Sequence, residues 1–223
     1  MKSNSLVERT DTAFEKWDAQ WQTEQGREEW LLPEPFVIGA IPTLRTYGVK
    51  SVLDLGCGVG RHALFLAKEN FNVYACDASP RGVEYLLHET QKSNLTIRTE
   101  LCKMTDLPYK IGSINCVLAW NVIYHGDISV VQRTISEICR IMSPQGIFIG
   151  TMLSKRNSEM YRGHQIAYNT RVNKHKSDKN HPHFYCSGSE LISLLSAFEI
   201  LLLRDCIHKG EGSYHWHFIA EKK

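Results

Sequence analysis

The sequence predicts an α/β protein with a doubly wound, mostly parallel β-sheet. First, the chain has 223 residues, which is enough for one domain of generous size with a sizeable core. Second, short apolar runs of strand type alternate with amphipathic runs of helical period between residues 51 and 152. Third, two apolar runs near the C-terminus are separated only by a short glycine-containing turn, which predicts an antiparallel hairpin.

The N-terminal part of the chain predicts helices. Phe14, Trp17 and Trp21 follow one another at spacings of three and then four residues, which is typical of one face of a short amphipathic helix. The stretch LLPEPFVIGAIPTLRTYG predicts a second helix, with Pro42 inside it and Gly48 as its stop. We therefore expect an N-terminal helical segment before the first strand.

The central part of the chain contains five strand-like runs. Strands that alternate with helices in this way pair in parallel, because each connection crosses over the sheet. Ser79, which precedes Pro80, and Asp127 are predicted N-caps of the helices after the second and fourth strands. The five runs are SVLDL, NVYACD, TIRTELC, INCVLAW and GIFIGTM.

The C-terminal part departs from this alternation. Ser187 and Glu190 form a Ser-x-x-Glu capping box that opens the predicted helix ELISLLSAF. The runs FEILLLRDC and YHWHFIAEK then form the predicted hairpin, which brings the expected number of strands to seven. Residues 153–187 form an insert after the fifth strand, with little apolar periodicity.

The overall composition excludes few classes of function and indicates no particular binding partner. Hydrophobic residues make up 43% and charged residues 22% of the chain, and the formal net charge of +2 is too small to indicate nucleic acid. The N-terminus lacks the apolar stretch of a secretory signal, and no run of about 18 apolar residues occurs, so we expect a cytoplasmic protein without a membrane span. The seven cysteines include no CxxC pair, which predicts reduced, mostly buried thiols.

The segment VLDLGCGVGRHALFLA at residues 52–67 predicts a ligand site. Its glycines fall in a strand-to-helix turn, where free N–H groups of the helix can face a nucleotide-like ligand if no Cβ intervenes. Asp77 ends the second strand, and its carboxylate can accept hydrogen bonds from both hydroxyls of a ribose. A dinucleotide fingerprint requires a third glycine where Arg61 stands, so an adenosine-type ligand is favoured over a pyrophosphate.

Five features of the chain carry a family resemblance: the pattern DLGCGVGR, the acid Asp77, the loop 104–108, the run 120–125 and the closing hairpin. Together they resemble class I S-adenosylmethionine-dependent methyltransferases over about residues 36–222. The GRHA turn and the HWHFIAEK ending are similar to small-molecule or tellurite-resistance-type bacterial methyltransferases. The resemblance implies a Rossmann-like sheet in a single methyltransferase domain, 1–223. Residues 1–34 are then an N-terminal helical lid or cap, and residues 153–187 are the insert.

The same resemblance implies an enzyme that moves a methyl group from S-adenosylmethionine to a small-molecule acceptor by in-line displacement. Because the leaving group is a neutral thioether, no acid is needed and positioning carries much of the catalysis. A base helps only if the acceptor loses a proton, and His125 and His215 are the candidate catalytic residues. The residues expected to bind or order the cofactor are Asp54, Gly56, Cys57, Gly58, Gly60, Asp77, Ala78, Thr105, Asp106, Leu107 and Asn121.

Within that set the resemblance implies specific contacts. Gly56, Cys57, Gly58 and Gly60 would line the methionine part of the cofactor, in a turn ordered by Asp54. Asp77 would hold the ribose. Asp106 and the backbone of Leu107 would meet the adenine edge, and the backbone of Asn121 would approach the amino acid end.

Several alternatives stay open at this point. His125 is also compatible with a loop histidine, and Trp17, Trp21 and Trp30 with core packing instead of a lid. His181, His183 and Cys186, with His215 and His217 later in the chain, suggest a metal, but their spacing matches no compact zinc pattern and no metal is expected.

The function alternatives are an RNA or protein methyltransferase, an NAD-linked oxidoreductase and a non-catalytic S-adenosylmethionine-binding protein. The many basic residues of the insert are compatible with an anionic acceptor or RNA, although nucleic acid is not the expected partner. The sequence predicts neither the identity of the acceptor nor the oligomeric state.

Overall fold

The computed structural model of the chain describes residues 9–176 and 178–223. Five parallel strands form the centre of the sheet, and they are β1 (Ser51–Leu55), β2 (Asn72–Asp77), β3 (Ile97–Leu101), β4 (Ile114–Ala119) and β5 (Met142–Ser154). Their order is β3-β2-β1-β4-β5, so the strand order reverses between β1 and β4. A reversal of this kind leaves a crevice at the carboxyl ends of the two strands, where ligands bind in open α/β sheets.

Seven α-helices occur in the described residues, and they are α1 (Ala13–Trp21), α2 (Glu24–Glu28), α3 (Pro35–Thr46), α4 (Arg61–Lys68), α5 (Pro80–Lys92), α6 (Ile128–Ile141) and α7 (Gly188–Leu194). The predicted caps are present. The Ser79 hydroxyl accepts the amide of Gly82 at the start of α5, and the Asp127 carboxylate caps α6. The capping box of Ser187 and Glu190 opens α7, and Pro42 lies inside α3 without ending it.

Helices cover both faces of the sheet, because adjacent residues of β1 pack in different cores. Leu53 belongs to a core that includes Ile138 of α6. Its neighbour Val52 belongs to a second core, which includes Leu66 of α4 and Leu86 of α5. Burial of each such side chain contributes about 1.5–3 kcal/mol. The doubly wound arrangement predicted from the sequence is therefore confirmed.

The closing hairpin is also present. It consists of β9 (Phe198–Ile207) and β10 (Tyr214–Lys222), which pair antiparallel. Strand β10 is also antiparallel to β5, so β9 runs in the same direction as the first five strands. The turn between β9 and β10 consequently lies at the end of the sheet where the crevice opens.

The insert is more ordered than the sequence indicated. It forms β6 (His164–Ala167), β7 (Thr170–Val172) and β8 (His183–Cys186), together with a 3-10 helix at Ser158–Tyr161. Strand β8 pairs in parallel with the last two residues of β5, and all four of its residues are buried. Within the described residues the sheet therefore has ten strands instead of the predicted seven. The extra strands are only three or four residues long, too short to show a period in the sequence.

Residues 1–8 of the predicted lid and Ser177 of the predicted insert lie outside the described residues. Among the residues that the structure describes, none of the helices combines the length and the apolar character that crossing a bilayer requires.

Candidate functional site

A cavity lies at the carboxyl ends of β1–β4, at the reversal of strand order. Its walls come from the segments 55–59, 76–78, 102–105 and 120–122, each of which follows or ends one strand. The N-terminal helices and the loop after them form a cover, with aromatic side chains facing the cavity. Five separate parts of the chain thus enclose one space.

The glycine turn forms one wall of this cavity. Gly56 and Gly58 have φ angles of +65° and +52°, which are unfavourable for residues that carry a Cβ. A Cβ on Gly58 would lie 3.1 Å from the Trp21 ring. The backbone turns at this point because the amide of Ala63 donates to the Asp54 carboxylate at 2.9 Å. This bond ties the end of β1 to the first turn of α4.

Asp54 and Gly60 were predicted at the site, but neither lines the cavity. Asp54 is 2% exposed, and burial raises its pKa to about 7. Gly60 has a φ of +86°, and a Cβ there would lie 2.3 Å from Leu86 of α5. Both residues shape the turn from behind and are out of reach of a molecule in the cavity.

Asp77 joins the second strand to the glycine turn and faces the cavity. Its carboxylate accepts the amides of Gly58 and Ser79, each at 2.8 Å. Each carboxylate oxygen has a second lone pair, so hydrogen-bonding capacity remains for a ligand. Burial raises the pKa of Asp77, against the effect of these backbone donors. Ala78 follows Asp77 in the same wall.

The loop after β3 places different residues at the cavity from those predicted. Lys103, Met104 and Thr105 line it, whereas Asp106 and Leu107 do not. The amide of Leu107, which was expected to meet an adenine edge, donates to the Glu137 carboxylate of α6 at 2.9 Å. Arg140 of α6 donates to the Leu107 carbonyl at 2.8 Å, so α6 holds this backbone away from the cavity.

Asn121 lies two residues after the end of β4, has a φ of +62° and lines the cavity. Its amide donates to the Thr151 hydroxyl at 2.8 Å, and its carbonyl accepts from Nε2 of His125 at 2.9 Å. Its side-chain amide lies 3.1 Å from Nε2 of His208. A positive φ is uncommon outside glycine, and here hydrogen bonds to Thr151, His125 and His208 hold the residue.

The cover is an aromatic cluster. Trp17 stacks on Trp21 with ring centroids 5.2 Å apart, and Trp30 meets both rings edge-on. Polar contacts fasten the cover to the body of the protein at two places. The Asp18 carboxylate accepts hydrogen bonds from residues at the start of α5, and the Lys103 ammonium pairs with Asp11 at 2.7 Å.

Three buried histidines meet beside the cavity. His125 lines the cavity, and its Nδ1 lies 3.0 Å from Nε2 of His181. His183 lies against both, with ring centroids 4.9 Å from His125 and 4.3 Å from His181. Burial, with the nearby Lys179 ammonium, holds the pKa values of all three imidazoles below the ordinary 6.5. The three rings are therefore neutral at pH 7.

His215, the other predicted catalytic residue, is buried but is not part of the cavity wall. Its ring lies 4.5 Å from His208 and 5.8 Å from Tyr124, measured between centroids. Tyr124 lies between His215 on one side and His125 and His183 on the other. The Tyr124 ring is also close to the rings of His125 and His183. The two candidate catalytic residues, His125 and His215, thus belong to two separate clusters.

The structure brings together most of the predicted site residues, namely Gly56, Cys57, Gly58, Asp77, Ala78, Thr105, Asn121 and His125. Sequence reasoning missed Lys103 and Met104 of the loop after β3, and Asp11 of the cover. It also missed the buried pair of Arg61 and Glu34 at 2.9 Å, which packs against Trp30. Arg61 had been noted only as the residue that breaks a dinucleotide fingerprint.

Comparison with known proteins gives one family match, described as a methyltransferase domain, over residues 52–146. A Geobacillus sp. (strain WCH70) protein named as a methyltransferase is 28% identical over 142 residues, which cover 63% of this chain and 56% of that protein. The chain spans about half the length of the curated relatives it matches.

Solved structures are similar in fold. A SAM-dependent methyltransferase from Methanosarcina mazei has a TM-score of 0.68 at 17% identity, covering 81% of this chain and 97% of that one. The 1,6-didemethyltoxoflavin-N1-methyltransferase of Burkholderia thailandensis, solved with 1,6-didemethyltoxoflavin and S-adenosylhomocysteine, has a TM-score of 0.67 at 19% identity. That alignment covers 95% of this chain and 88% of the other.

Proposed function

We propose that this chain, which carries a class I S-adenosylmethionine-dependent methyltransferase domain, moves a methyl group from S-adenosylmethionine to a small-molecule acceptor. The observation that carries the proposal is the Asp77 carboxylate, which faces the cavity beside the glycine turn while it holds that turn through the Gly58 amide. A cofactor with a ribose and an amino acid group uses both features.

In the proposed complex, Asp77 accepts the ribose hydroxyls and the turn at Gly56–Gly58 meets the methionine part. Asn121 follows β4, the strand that pairs with β1, and is assigned to the amino acid end. We assign the adenine to the wall formed by Met104 and Thr105, because Asp106 and Leu107 point elsewhere. Asp54 and Gly60 support the turn without contacting the cofactor.

The chemistry needs little from the protein beyond placement. The acceptor attacks the methyl carbon in line with the departing sulfur, and the neutral thioether leaves without a proton. A base is useful only when the acceptor loses a proton during attack. His125 as that base stays a prediction, and it requires Nδ1 to leave His181, since Nε2 donates to Asn121. A catalytic role of His215 likewise stays a prediction.

Two features favour a small acceptor over RNA. The aromatic cover closes the cavity from the N-terminal side, which limits the size of an entering molecule. The basic residues of the insert are largely paired with carboxylates: Lys155 with Glu190, Arg156 with Asp205, and Lys176 with Glu159. Because these basic residues are paired, they attract a phosphate backbone less strongly than their number in the sequence indicates.

We treat the domain as one unit in which residues 1–34 act as a lid and residues 153–187 build a wall beside the acceptor. In this arrangement the acceptor enters between the cover and the insert. It meets the methyl group near His125. The small heterocycle bound by the Burkholderia enzyme is an acceptor of the proposed size class. A cytoplasmic location remains the prediction from the sequence.

The proposal is tested first by calorimetric titration with S-adenosylmethionine. Asp77→Ala should weaken binding by roughly 1.5–3 kcal/mol, the range for hydrogen bonds to a charged group. This corresponds to roughly tenfold to over a hundredfold in the dissociation constant. Asp106→Ala is the matched control, because its carboxylate is exposed and outside the cavity wall, and it should bind as the parent does. Equal affinity of the parent and Asp77→Ala would refute the ribose assignment.

The second test uses a labelled methyl donor and cell extract separated by size. Label should enter the low-mass fraction, and Asp77→Ala should reduce the transfer. Label in RNA or protein would contradict the small acceptor and favour the macromolecular alternative. Tight binding of reduced nicotinamide dinucleotide in place of S-adenosylmethionine would favour an oxidoreductase, and cofactor binding without any product would favour a binding protein.

A further inference from the structure

The histidine cluster beside the cavity has the composition of a metal site. One ring nitrogen from each of His125, His181 and His183 lies within 4.8 Å of the other two. The side chains are 6%, 4% and 1% exposed. Three imidazoles are a donor set suited to zinc and related transition metals. In a tetrahedral site with Zn–N bonds of about 2.0–2.1 Å the nitrogens are about 3.3 Å apart, so small ring rotations suffice.

The hydrogen bonds of two of these rings fix which nitrogen carries a proton. Nε2 of His125 lies 2.9 Å from the Asn121 carbonyl, and Nδ1 of His183 lies 2.7 Å from the His181 carbonyl. A carbonyl only accepts, so both of these nitrogens are protonated donors. The opposite nitrogens, Nδ1 of His125 and Nε2 of His183, therefore carry free lone pairs. Metal-binding histidines are held in this way, by a carbonyl on the far nitrogen.

One of these lone pairs has no donor in the described part of the chain. Nε2 of His183 is buried and makes no hydrogen bond there. A buried polar atom without a partner is destabilising, and a bound ion at this atom would remove that cost. Nε2 of His181 faces Nδ1 of His125 at 3.0 Å, so a bound cation would also satisfy this pair.

We infer that His125, His181 and His183 bind one divalent transition-metal ion of the zinc class. The ligands come from two places, the loop after β4 and the end of the insert, so the ion would clamp the insert to the crevice end of the sheet. Three protein nitrogens leave a fourth position open, as in zinc sites that take up water or a substrate group. That position would lie beside the cavity, because His125 is part of its wall. With Nδ1 on the ion, His125 is a metal ligand and does not act as the general base.

The charges around the cluster bear on what fills the fourth position. Lys179 is the cation near all three imidazoles, and its ammonium is 3.7 Å from the Asp178 carboxylate. The ammonium repels a bare divalent ion, and an anionic ligand on the metal would offset this repulsion. We therefore expect a thiolate, or another anionic donor of the acceptor, at the fourth position. This last expectation rests on the proposed function, whereas metal binding itself does not.

The test begins with the full chain stripped of metal by a chelator and titrated with Zn²⁺ and with Co²⁺. We expect about one ion per chain by elemental mass spectrometry, and visible absorption bands of tetrahedral Co²⁺. His181→Gln and His183→Gln should each weaken binding by at least about 100-fold, since losing even a partner of a metal ligand typically weakens binding 10–100-fold. His175→Gln, an exposed histidine of the same insert, is the control and should bind as the parent does.

Circular dichroism and S-adenosylmethionine titration of each variant show whether it is folded. A parent chain that binds no more than trace metal, or folded His181→Gln and His183→Gln variants that bind metal as the parent does, would overturn the site. A small thiol added to the Co²⁺ form should produce a sulfur-to-cobalt charge-transfer band, and a spectrum that does not change would overturn the open position. Metal binding without S-adenosylmethionine binding would refute the proposed function and leave the metal site standing.

Discussion

The contact between the cover and the body of the protein can be tested at Asp18 of α1. Its carboxylate accepts the Ser79 hydroxyl at 2.8 Å and the Arg81 amide at 2.9 Å, and it pairs with the Arg81 guanidinium at 2.8 Å. The side chains of Asp18 and Arg81 are partly exposed, so we assign about 1 kcal/mol to each of the three contacts. Asp18→Ala should therefore shift the docking equilibrium of α1 by about 3 kcal/mol, or about a hundredfold.

Docking of α1 should affect ligand binding more than global stability. The two core clusters of the sheet contain no residue of α1 among the residues described, so the thermal midpoint of the ligand-free protein should fall little. The cover forms part of the cavity wall, so the dissociation constant for S-adenosylmethionine should rise as the inverse of the docked fraction, by at most about a hundredfold. Cleavage within residues 9–30 by a nonspecific protease should become faster.

Limited proteolysis with mass spectrometry and calorimetric titration measure these effects. Glu15→Ala is the control, because this carboxylate lies on the same helix and is exposed. Parental cleavage and parental affinity in Asp18→Ala would refute the docking argument. A large fall in the thermal midpoint would show instead that α1 belongs to the folding core, and the lid proposal would fail.

A further substitution tests the glycine turn. Gly58→Ala adds a Cβ at a φ of +52° and should lower the thermal midpoint and weaken cofactor binding. Gly39→Ala is the control. Its added Cβ would have no atom within 4 Å, so this variant should stabilise its helix by about 0.5–1 kcal/mol. Equal midpoints for the two variants would contradict the strain at Gly58.

Burial lowers the pKa of His208 to about 4, so its contribution to stability is complete above pH 6.5 and is lost as the pH falls towards 4. His208→Gln should therefore lose about 3 kcal/mol less stability than the parent over that interval in denaturant titrations. A parental curve for His208→Gln would refute the burial argument.

Local signals made much of the fold predictable. Hydrophobic period and capping chemistry act over a few residues, which is why Ser79, Asp127 and the Ser187 capping box marked helix starts correctly. The strand-turn-helix at Gly56 and Gly58 was similarly visible, because positive φ angles select glycine wherever they occur.

The remaining features depend on contacts between distant parts of the chain. Leu107 was expected to face the cofactor, but Glu137 of α6, thirty residues later, binds its amide. The histidine cluster joins His125 to His181 across 56 residues, and no spacing rule for metal sites covers such a distance. Strand β8 is four residues long and depends on pairing with β5, so its own sequence gives little periodic signal.

Cys57 lies in the wall of the cavity that we assign to S-adenosylmethionine. A sulfonium methyl group reacts with any good nucleophile within reach, and a thiolate is among the best in proteins. Burial, reinforced by the negative charges of Asp77 and Asp54, raises the pKa of the Cys57 thiol well above its ordinary value. The sulfur therefore stays protonated and poorly reactive at neutral pH. The acidic groups that shape the cofactor site would in this way also protect the enzyme from methylating itself, and turnover should leave its own cysteine unmodified.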